Sequence, residues 1–392
     1  MPNNDFITKL LGFEDVIIKD VTDSDDLISF YIEKERHDCT CPYCGAVTNK
    51  VHDYRTVTIK DLPIQFKKTI IKYRKRRYHC PCCGKHFNET FPLVPKNCQI
   101  SARLSIYSLT QLSENQSVSS VAKRLGISTS SLFRRIKCLS FPKPRSLPSV
   151  ISIDEFKGNA DGEKFQAIIT DPVHKKVFDI LPSRKNYRLA EYIKSFGNRN
   201  NVRFIIMDMN KVYLDMAKTW LPNATVVIDR FHVARYATWA LENVRKSVQK
   251  KLGDSKRKYF KRSRWLMLKR RADLTEEQAD ELAVILSQSE DLATAYLLKE
   301  KFFEFMHAET RYEAGKKMKY FIFAAELSGL KEFKACLTML RNWSEYILNS
   351  FEYHYSNGFT EGTNNKIKVI KRTAYGYRNF ENFRNRIMMC CS

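Results

Sequence analysis

Three carboxylates, Asp154, Asp208 and Glu361, stand where they could together hold a hard divalent cation. Asp154 closes the run Ile-Ser-Ile-Asp and Asp208 closes Phe-Ile-Ile-Met-Asp, both of which read as strands. If these strands are neighbours in one sheet, the two carboxylates emerge side by side at its edge, where oxygen ligands suit Mg2+ or Mn2+. A third acid should come from a helix packed against that edge. Glu361 opens such a stretch, Ser-Asn-Gly-Phe-Thr-Glu-Gly-Thr-Asn-Asn-Lys-Ile-Lys. Two ions about 3.5–4 Å apart between these acids would support an in-line displacement at phosphorus. Any one of the acids alone is more ordinarily a solvated surface group, and an acid in a first helical turn ordinarily compensates the helix dipole. Their joint occurrence on strand, strand and late helix argues for a site.

Four softer ligands lie upstream. Cys41-Pro42-Tyr43-Cys44-Gly45 and Cys80-Pro81-Cys82-Cys83-Gly84 each bring two thiolates one turn apart, and a hairpin joining two such turns makes a closed tetrahedral zinc site. The expected ligands are Cys41, Cys44, Cys80 and Cys83, with Cys39 and Cys82 as spare thiols. Four thiolates leave no open position for a substrate, so this Zn2+ is expected to be structural. Ser117–Lys137 then reads as a helix-turn-helix. Gly126 permits the left-handed turn, Val121, Leu125, Ile127, Leu132 and Ile136 supply a buried face, and Ser128 caps the second helix. Thr129, Ser130, Ser131, Arg134 and Arg135 are left for a DNA groove. An ordinary helical hairpin is the plainer alternative.

The elements that must position these groups follow a clear order. Residues 150–154, 165–169 and 176–181 read as three short strands, followed by a helix at 187–196, a strand at 202–207, a helix at 212–220 and a strand at 224–228. This is the order of an RNase H-like α/β domain with a mixed five-stranded sheet. The whole is expected to be multidomain α+β: a lead-in at 1–38, a zinc ribbon at 39–95, a helix-turn-helix at 100–140 and a proline-broken linker at 141–149. The RNase H-like core at 150–232 follows, then a helical basic insertion at 233–350 and a return to the core at 351–392. Within 235–271, fourteen basic residues face two acids, and Lys256, Arg257 and Lys258 are the expected backbone-holding group. Trp220, Trp239 and Trp265 could stack on a base, with core packing the plainer use of each.

Lys and Arg outnumber Asp and Glu by 67 to 43, a formal charge of +24 that favours a polyanionic partner. Charge alone does not separate DNA, RNA and an acidic membrane. No apolar run approaches the roughly 18–20 residues of a membrane span, and the first residues lack the pattern of a secretory leader. A cytoplasmic protein is expected, with its 11 cysteines mostly reduced.

The motifs Cys-Pro-x-Cys-Gly, Ile-Asp-Glu-Phe, Asp-Met-x-x-x-Tyr at 208–213, Asp-Arg-Phe-His-Val at 229–233 and Asn-Gly-x-x-Glu-Gly-x-Asn-Asn-Lys-Ile-Lys carry a resemblance. Over roughly residues 39–387 the chain resembles bacterial insertion-sequence transposases of the ISL-three family. The resemblance implies a DDE-type enzyme with Asp154, Asp208 and Glu361 as its triad, Mg2+ or Mn2+ as cofactor, and the helical stretch inserted before the last acid. It implies DNA cleavage and strand transfer on double-stranded DNA, terminal inverted repeats read by the N-terminal modules, and a homodimer or larger assembly on DNA. Asp229 and His232 match an Asp-x-x-His motif of related enzymes, which implies a supporting role rather than metal ligation for His232; a structural histidine is the alternative. Two other functions remain open: a DNA-binding regulator with a non-catalytic scaffold, and an RNase H-like nuclease without strand transfer.

Overall fold

The computed structural model describes residues 16–91, 98–139, 141–252 and 264–391, together with positions 8, 12, 94, 258, 260 and 261. Their contacts form two units. One holds the described residues up to Phe141 with Val369–Tyr377 and Glu381–Cys390; the other holds Pro142–Lys368 with Arg378–Phe380. No helix among the described residues is long and apolar enough to cross a membrane.

The first unit opens with β1 (Val16–Asp23), β2 (Leu27–Lys34), β3 (Cys39–Thr40), β4 (Val47–Thr48), β5 (Val51–Ile64), β6 (Lys67–His79) and β7 (His86–Asn88). Its main sheet runs β1-β2-β6-β5, with β7 on β6. The described part of the expected lead-in shares a sheet with the expected ribbon, β2 pairing in parallel with β6. Apolar burial carries this pairing, Ile18, Ile28, Phe30 and Ile32 packing with Ile59, Ile71 and Tyr73, and ion pairs add to it. Asp23 lies 2.6 Å from Lys67 and Glu33 3.1 Å from Arg74. Arg76, buried, donates to the Lys34 carbonyl at 2.8 Å. Acids that look unattached in sequence neutralise the cationic strand.

Three helices follow, α1 (Ala102–Ser113), α2 (Val118–Leu125) and α3 (Thr129–Cys138), capped by Ser101, Ser117 and Ser128, whose hydroxyls accept from Leu104, Ser120 and Ser131 N–H. Gly126 turns the chain at φ +64°, the left-handed region that an L side chain resists. Val121, Ala122, Leu125, Ile127, Leu132 and Ile136 form the core between the helices.

The second unit is built on β8 (Val150–Phe156), β9 (Gln166–Asp171) and β10 (Lys176–Leu181), an antiparallel meander. After α4 (Asn186–Lys194) come β11 (Phe204–Met207), α5 (Lys211–Trp220) and β12 (Thr225–Ile228). The strand order is β10-β9-β8-β11-β12, with β11 parallel to both neighbours, the arrangement expected of an RNase H-like sheet. The next helices are α6 (Arg230–Lys250), α7 (Arg264–Leu268), α8 (Glu276–Leu286), α9 (Glu290–Met306), α10 (Arg311–Leu327) and α11 (Lys334–Tyr353). They share one core with the sheet, in which Ile151, Ile153, Ile205 and Ile228 join Val233, Leu241, Phe302, Phe321 and Leu340. Asn349 donates to the Val226 carbonyl at 2.7 Å, occupying an acceptor of strand β12. Core packing does not hold for two of the tryptophans: Trp239 and Trp265 are about half exposed, lying beneath Arg235 and Lys269.

The chain ends in α12 (Gly358–Thr373) and α13 (Phe380–Cys391). The expected return of 351–392 to the catalytic core holds only in part, because residues 381–390 pack in the first unit. Arg386, fully buried, donates to the Gln116 carbonyl at 2.6 Å, and Met389 packs on the three-helix core. An amphipathic helix shows in sequence that it has a core, not which core it has.

At the ribbon's tip the sulfurs of Cys41, Cys44, Cys80 and Cys83 lie within 4.8 Å of one another, Cys41 to Cys83 at 3.7 Å and Cys44 to Cys80 at 3.5 Å. Cys39 and Cys82 stand outside this group. Four thiols so close fit a tetrahedral Zn2+, which would join two knuckles held by few apolar contacts. Protein purified without added metal should carry one zinc per chain by elemental analysis. Cys41→Ser should lose that zinc and weaken specific DNA binding, while a metal-free ribbon that stays folded would overturn the assignment.

Candidate active site

Strand pairing brings the first two acids together. Ile153 is in register with Met207, so Asp154 and Asp208 follow the same rung of parallel strands. Asp154 is almost buried, and both its oxygens are engaged: Oδ1 accepts the Glu155 N–H at 2.7 Å and Oδ2 accepts Asn364 Nδ2 at 2.7 Å. Asp208 sits just before Asn210, which caps α5 by accepting the Val212 N–H. Glu361 lies in the first turn of α12, where its N–H donates to the Asn357 carbonyl at 2.9 Å.

The tightest ligand-bearing group in this unit, among the described residues, is Asp208 with Asp229 and His232, their ligand atoms within 4.8 Å. His232 Nε2 is 3.0 Å from Asp208 Oδ1, yet that buried oxygen has no hydrogen bond of good geometry. Asp229 caps α6, so the Asp-x-x-His motif reaches the acids through a helix start. Asp154 and Glu361 stand outside this group, though the charge of Asp208 acts on Asp154 and that of Glu361 acts on Asp208 and Asp229. Burial, then Asp208, pushes the Asp154 carboxyl up to about 7. Burial, then Asp229, Glu155 and Glu361, pushes Asp208 up to about 7 as well. Asp229 is also raised, chiefly by burial. Hard oxygens, mutual repulsion and one buried oxygen without a hydrogen bond fit a divalent cation such as Mg2+ or Mn2+.

Sequence reasoning missed the groups around these acids. Glu155 accepts from Tyr213 Oη at 3.0 Å and Asn210 Nδ2 at 3.4 Å, and pairs with Arg184. In sequence Asn364 is one of two adjacent asparagines in the Glu-Gly-x-Asn-Asn-Lys motif.

On the first unit, Thr129, Ser130 and Arg134 are exposed, while Ser131 and Arg135 are half-buried. Arg135 donates to Ser105 Oγ at 2.8 Å and to the Ser131 carbonyl at 3.2 Å, so it is held within the module. Arg134 has a contact to Ser131 Oγ at 3.1 Å. Ser131, Arg134 and Arg135, but not Thr129 or Ser130, line a groove of about 1120 Å³ together with Ser128, Lys60 and Lys75. Lys258 is exposed; Lys256 and Arg257 lie outside the described residues.

Asp154 and Asp208 hold protons more tightly in the folded than in the unfolded chain. Their stabilising contribution is therefore fully present below the ordinary aspartate value of about 3.9 and is lost as pH rises through about 7. Without added Mg2+, the melting temperature of the wild type should fall more than that of Asp208→Asn across this window. Thermal melts over a pH series check it, and parallel curves for the two proteins would contradict the repulsion described here.

Comparison with known proteins bears on the same elements. Residues 37–83 match a family model described as the zinc-finger of transposases IS204, IS1001, IS1096 and IS1165. The chain is 26% identical over 365 residues to the transposase for insertion sequence element IS1001 of Bordetella parapertussis, covering 91% of this chain and 89% of that protein. It is 23% identical over 254 residues to the transposase for IS1557 of Mycobacterium tuberculosis, covering 58% and 56%. A stretch of 55 residues is 49% identical to an ATP-dependent protease of Lactococcus lactis, covering 13% and 18%, too little to bear on the whole. Residues 151–387, from β8 into the last helix, match the DDE-domain model of the ISL3 transposases. A match of that span, over most of the chain, makes this protein a member of the ISL3 transposase family.

Proposed function

We propose that this chain is the transposase of an insertion sequence: it binds the element's terminal inverted repeats, cleaves DNA there and joins the freed ends to target DNA. Asp154, Asp208 and Glu361 would hold the divalent metal. The observation that carries this reading is the pair of acids on β8 and just past β11, whose mutual repulsion a cation would relieve. Such an ion supplies Lewis-acid support to the attacking and leaving oxygens of an in-line displacement. The chain's own groups do the rest. The Glu155 N–H and Asn364 hold Asp154 in one orientation, and His232 brings its ring Nε2 to 3.0 Å from Asp208 Oδ1. Tyr213 and Arg184 hold Glu155 beside the same edge.

Specific DNA binding is assigned to the three-helix module, with exposed Thr129, Ser130 and Arg134 toward the bases and the basic insertion, including Lys256, Arg257 and Lys258, on the backbone. Because two ends must meet, the working form on DNA would be a homodimer or larger.

Two outcomes test this reading. Glu361→Gln should bind end DNA normally yet lose cleavage and strand transfer by at least about 100-fold, typical of a main electrostatic contact; Glu381→Gln, exposed and on another helix, should stay active. Near wild-type cleavage by Glu361→Gln in Mg2+ would remove it from the triad and turn attention to Asp229. Arg134→Ala should reduce preference for the element's ends by roughly 1–3 kcal/mol, the worth of a bidentate base contact, and Arg135→Ala by less, since Arg135 is held by Ser105. Competition binding against unrelated DNA decides it, and a larger loss from Arg135 would reverse the assignment.

A further inference from the structure

The helix carrying Glu361 is docked on the sheet at its first turn through a chain of polar groups. Thr360 Oγ1 donates to Ser152 Oγ at 3.1 Å, and Ser152 Oγ donates to Asn357 Oδ1. Thr170 Oγ1 lies 2.7 Å from Thr360 Oγ1; since the Thr360 proton is committed to Ser152, Thr170 must be the donor there. All four side chains are buried, so β8, β9 and the start of α12 are tied by one run of hydroxyl hydrogen bonds ending on Asn357 Oδ1.

Asn364 is not needed for that docking, and its bonds go elsewhere. Its Nδ2 donates to Asp154 Oδ2 at 2.7 Å and reaches the Glu155 carbonyl at 3.5 Å. The other Asp154 oxygen accepts the Glu155 N–H. The carboxylate is thereby tethered at both oxygens and has one orientation. Asn364 is 5% exposed, and its own Oδ1 is buried without a hydrogen bond. Leaving that acceptor unpaired is costly, and the arrangement is set against that cost by the bond to an acid at the site. Asn364 follows Glu361 by three positions, so one helical turn carries both, Asn364 bonded to Asp154 and Glu361 within electrostatic reach of Asp208.

We propose that Asn364 is a positioning residue of the metal-dependent reaction, its amide fixing the Asp154 carboxylate so that Asp154 and Glu361 serve the same cation. This rests on the assignment of Asp154, Asp208 and Glu361 as the metal-holding acids. Asn364 touches no reacting atom in this role; it acts through Asp154.

The test uses the full chain with Asn364→Ala and with Asn364→Leu, the second similar in volume but lacking the donor. Mn2+ affinity is measured by electron paramagnetic resonance without DNA. The affinity for end DNA, the melting temperature and the single-turnover cleavage rate are followed in parallel. Outer-shell partners of metal ligands are typically worth about 10–100-fold in metal affinity or activity. Mn2+ affinity and cleavage should both fall by about that factor, with DNA affinity within about 2-fold of wild type. A purely structural asparagine would lower the melting temperature and leave the Mn2+ affinity of the folded fraction unchanged. Wild-type Mn2+ affinity and cleavage in a folded variant would overturn the proposal. So would loss of fold in both variants, which would make Asn364 a structural residue. Asp154→Ala separates the two claims: if it keeps wild-type Mn2+ affinity and cleavage, the acid assignment itself fails, whereas its inactivity beside an unaffected Asn364→Leu sinks the positioning role alone.

Discussion

Two carboxylates that follow the same rung of parallel strands repel each other, and the second unit is arranged to hold them there. Asp154 cannot swing away, because both its oxygens are bonded. Asp208 cannot withdraw, because β11 lies between β8 and β12 and the buried residue before it is in register with both neighbours. The like charges therefore remain close in a partly dry setting, and protons are held up to about 7. A metal-free site of this kind is a local destabilisation maintained by the core around it. The single continuous core of sheet and helices is what makes such a site tolerable.

Helix starts supply the partial offset. Asn210 caps α5 two residues after Asp208, Asp229 itself caps α6, and Glu361 sits in the first turn of α12. Each helix begins at or beside an acid of the cluster, so three sets of N-terminal N–H groups lie next to concentrated negative charge. This explains why the long insertion begins where it does. Helix α6 is both the first helix of the insertion and the element that carries Asp229 and His232 to Asp208. Helix α6 thus belongs to the surroundings of Asp208 as well as to the core beyond the sheet.

In the first unit the same electrostatics runs the other way. Strand β6 concentrates cations, and β1 and β2 bring Asp23 and Glu33 to Lys67 and Arg74, while Arg76 is buried against the Lys34 carbonyl and Glu89. Part of the chain's positive charge is thereby spent internally and is not open to phosphate. The groove lined by Lys60, Lys75 and Arg134 is a better measure of what remains for DNA than the net charge. Even there, Lys60 donates to the Gly126 carbonyl at 2.6 Å, bracing the helix-turn-helix from the ribbon side.

What could be read from sequence follows the distance over which each signal acts. The strand order, the cysteine knuckles and the capped helices are local patterns of period, spacing and turn chemistry, and they are found in the structure. Glu361 could be singled out because its motif is local, although its neighbour Asp208 lies far back in the chain. Non-local partners were not legible. Nothing in Leu27–Lys34 says that its strand will pair with Lys67–His79, and complementary charge is a hint only once both are in view. The last helix has an apolar face that suits either core. Asn364 shows the limit most clearly: an asparagine in a helix next to a second asparagine, Asn365, has no pattern to distinguish the one that bonds an acid from the one that faces solvent. Only docking of the helix decides between them, and that docking depends on Ser152 and Thr170, residues whose small hydroxyls look like ordinary strand positions until Thr360 meets them.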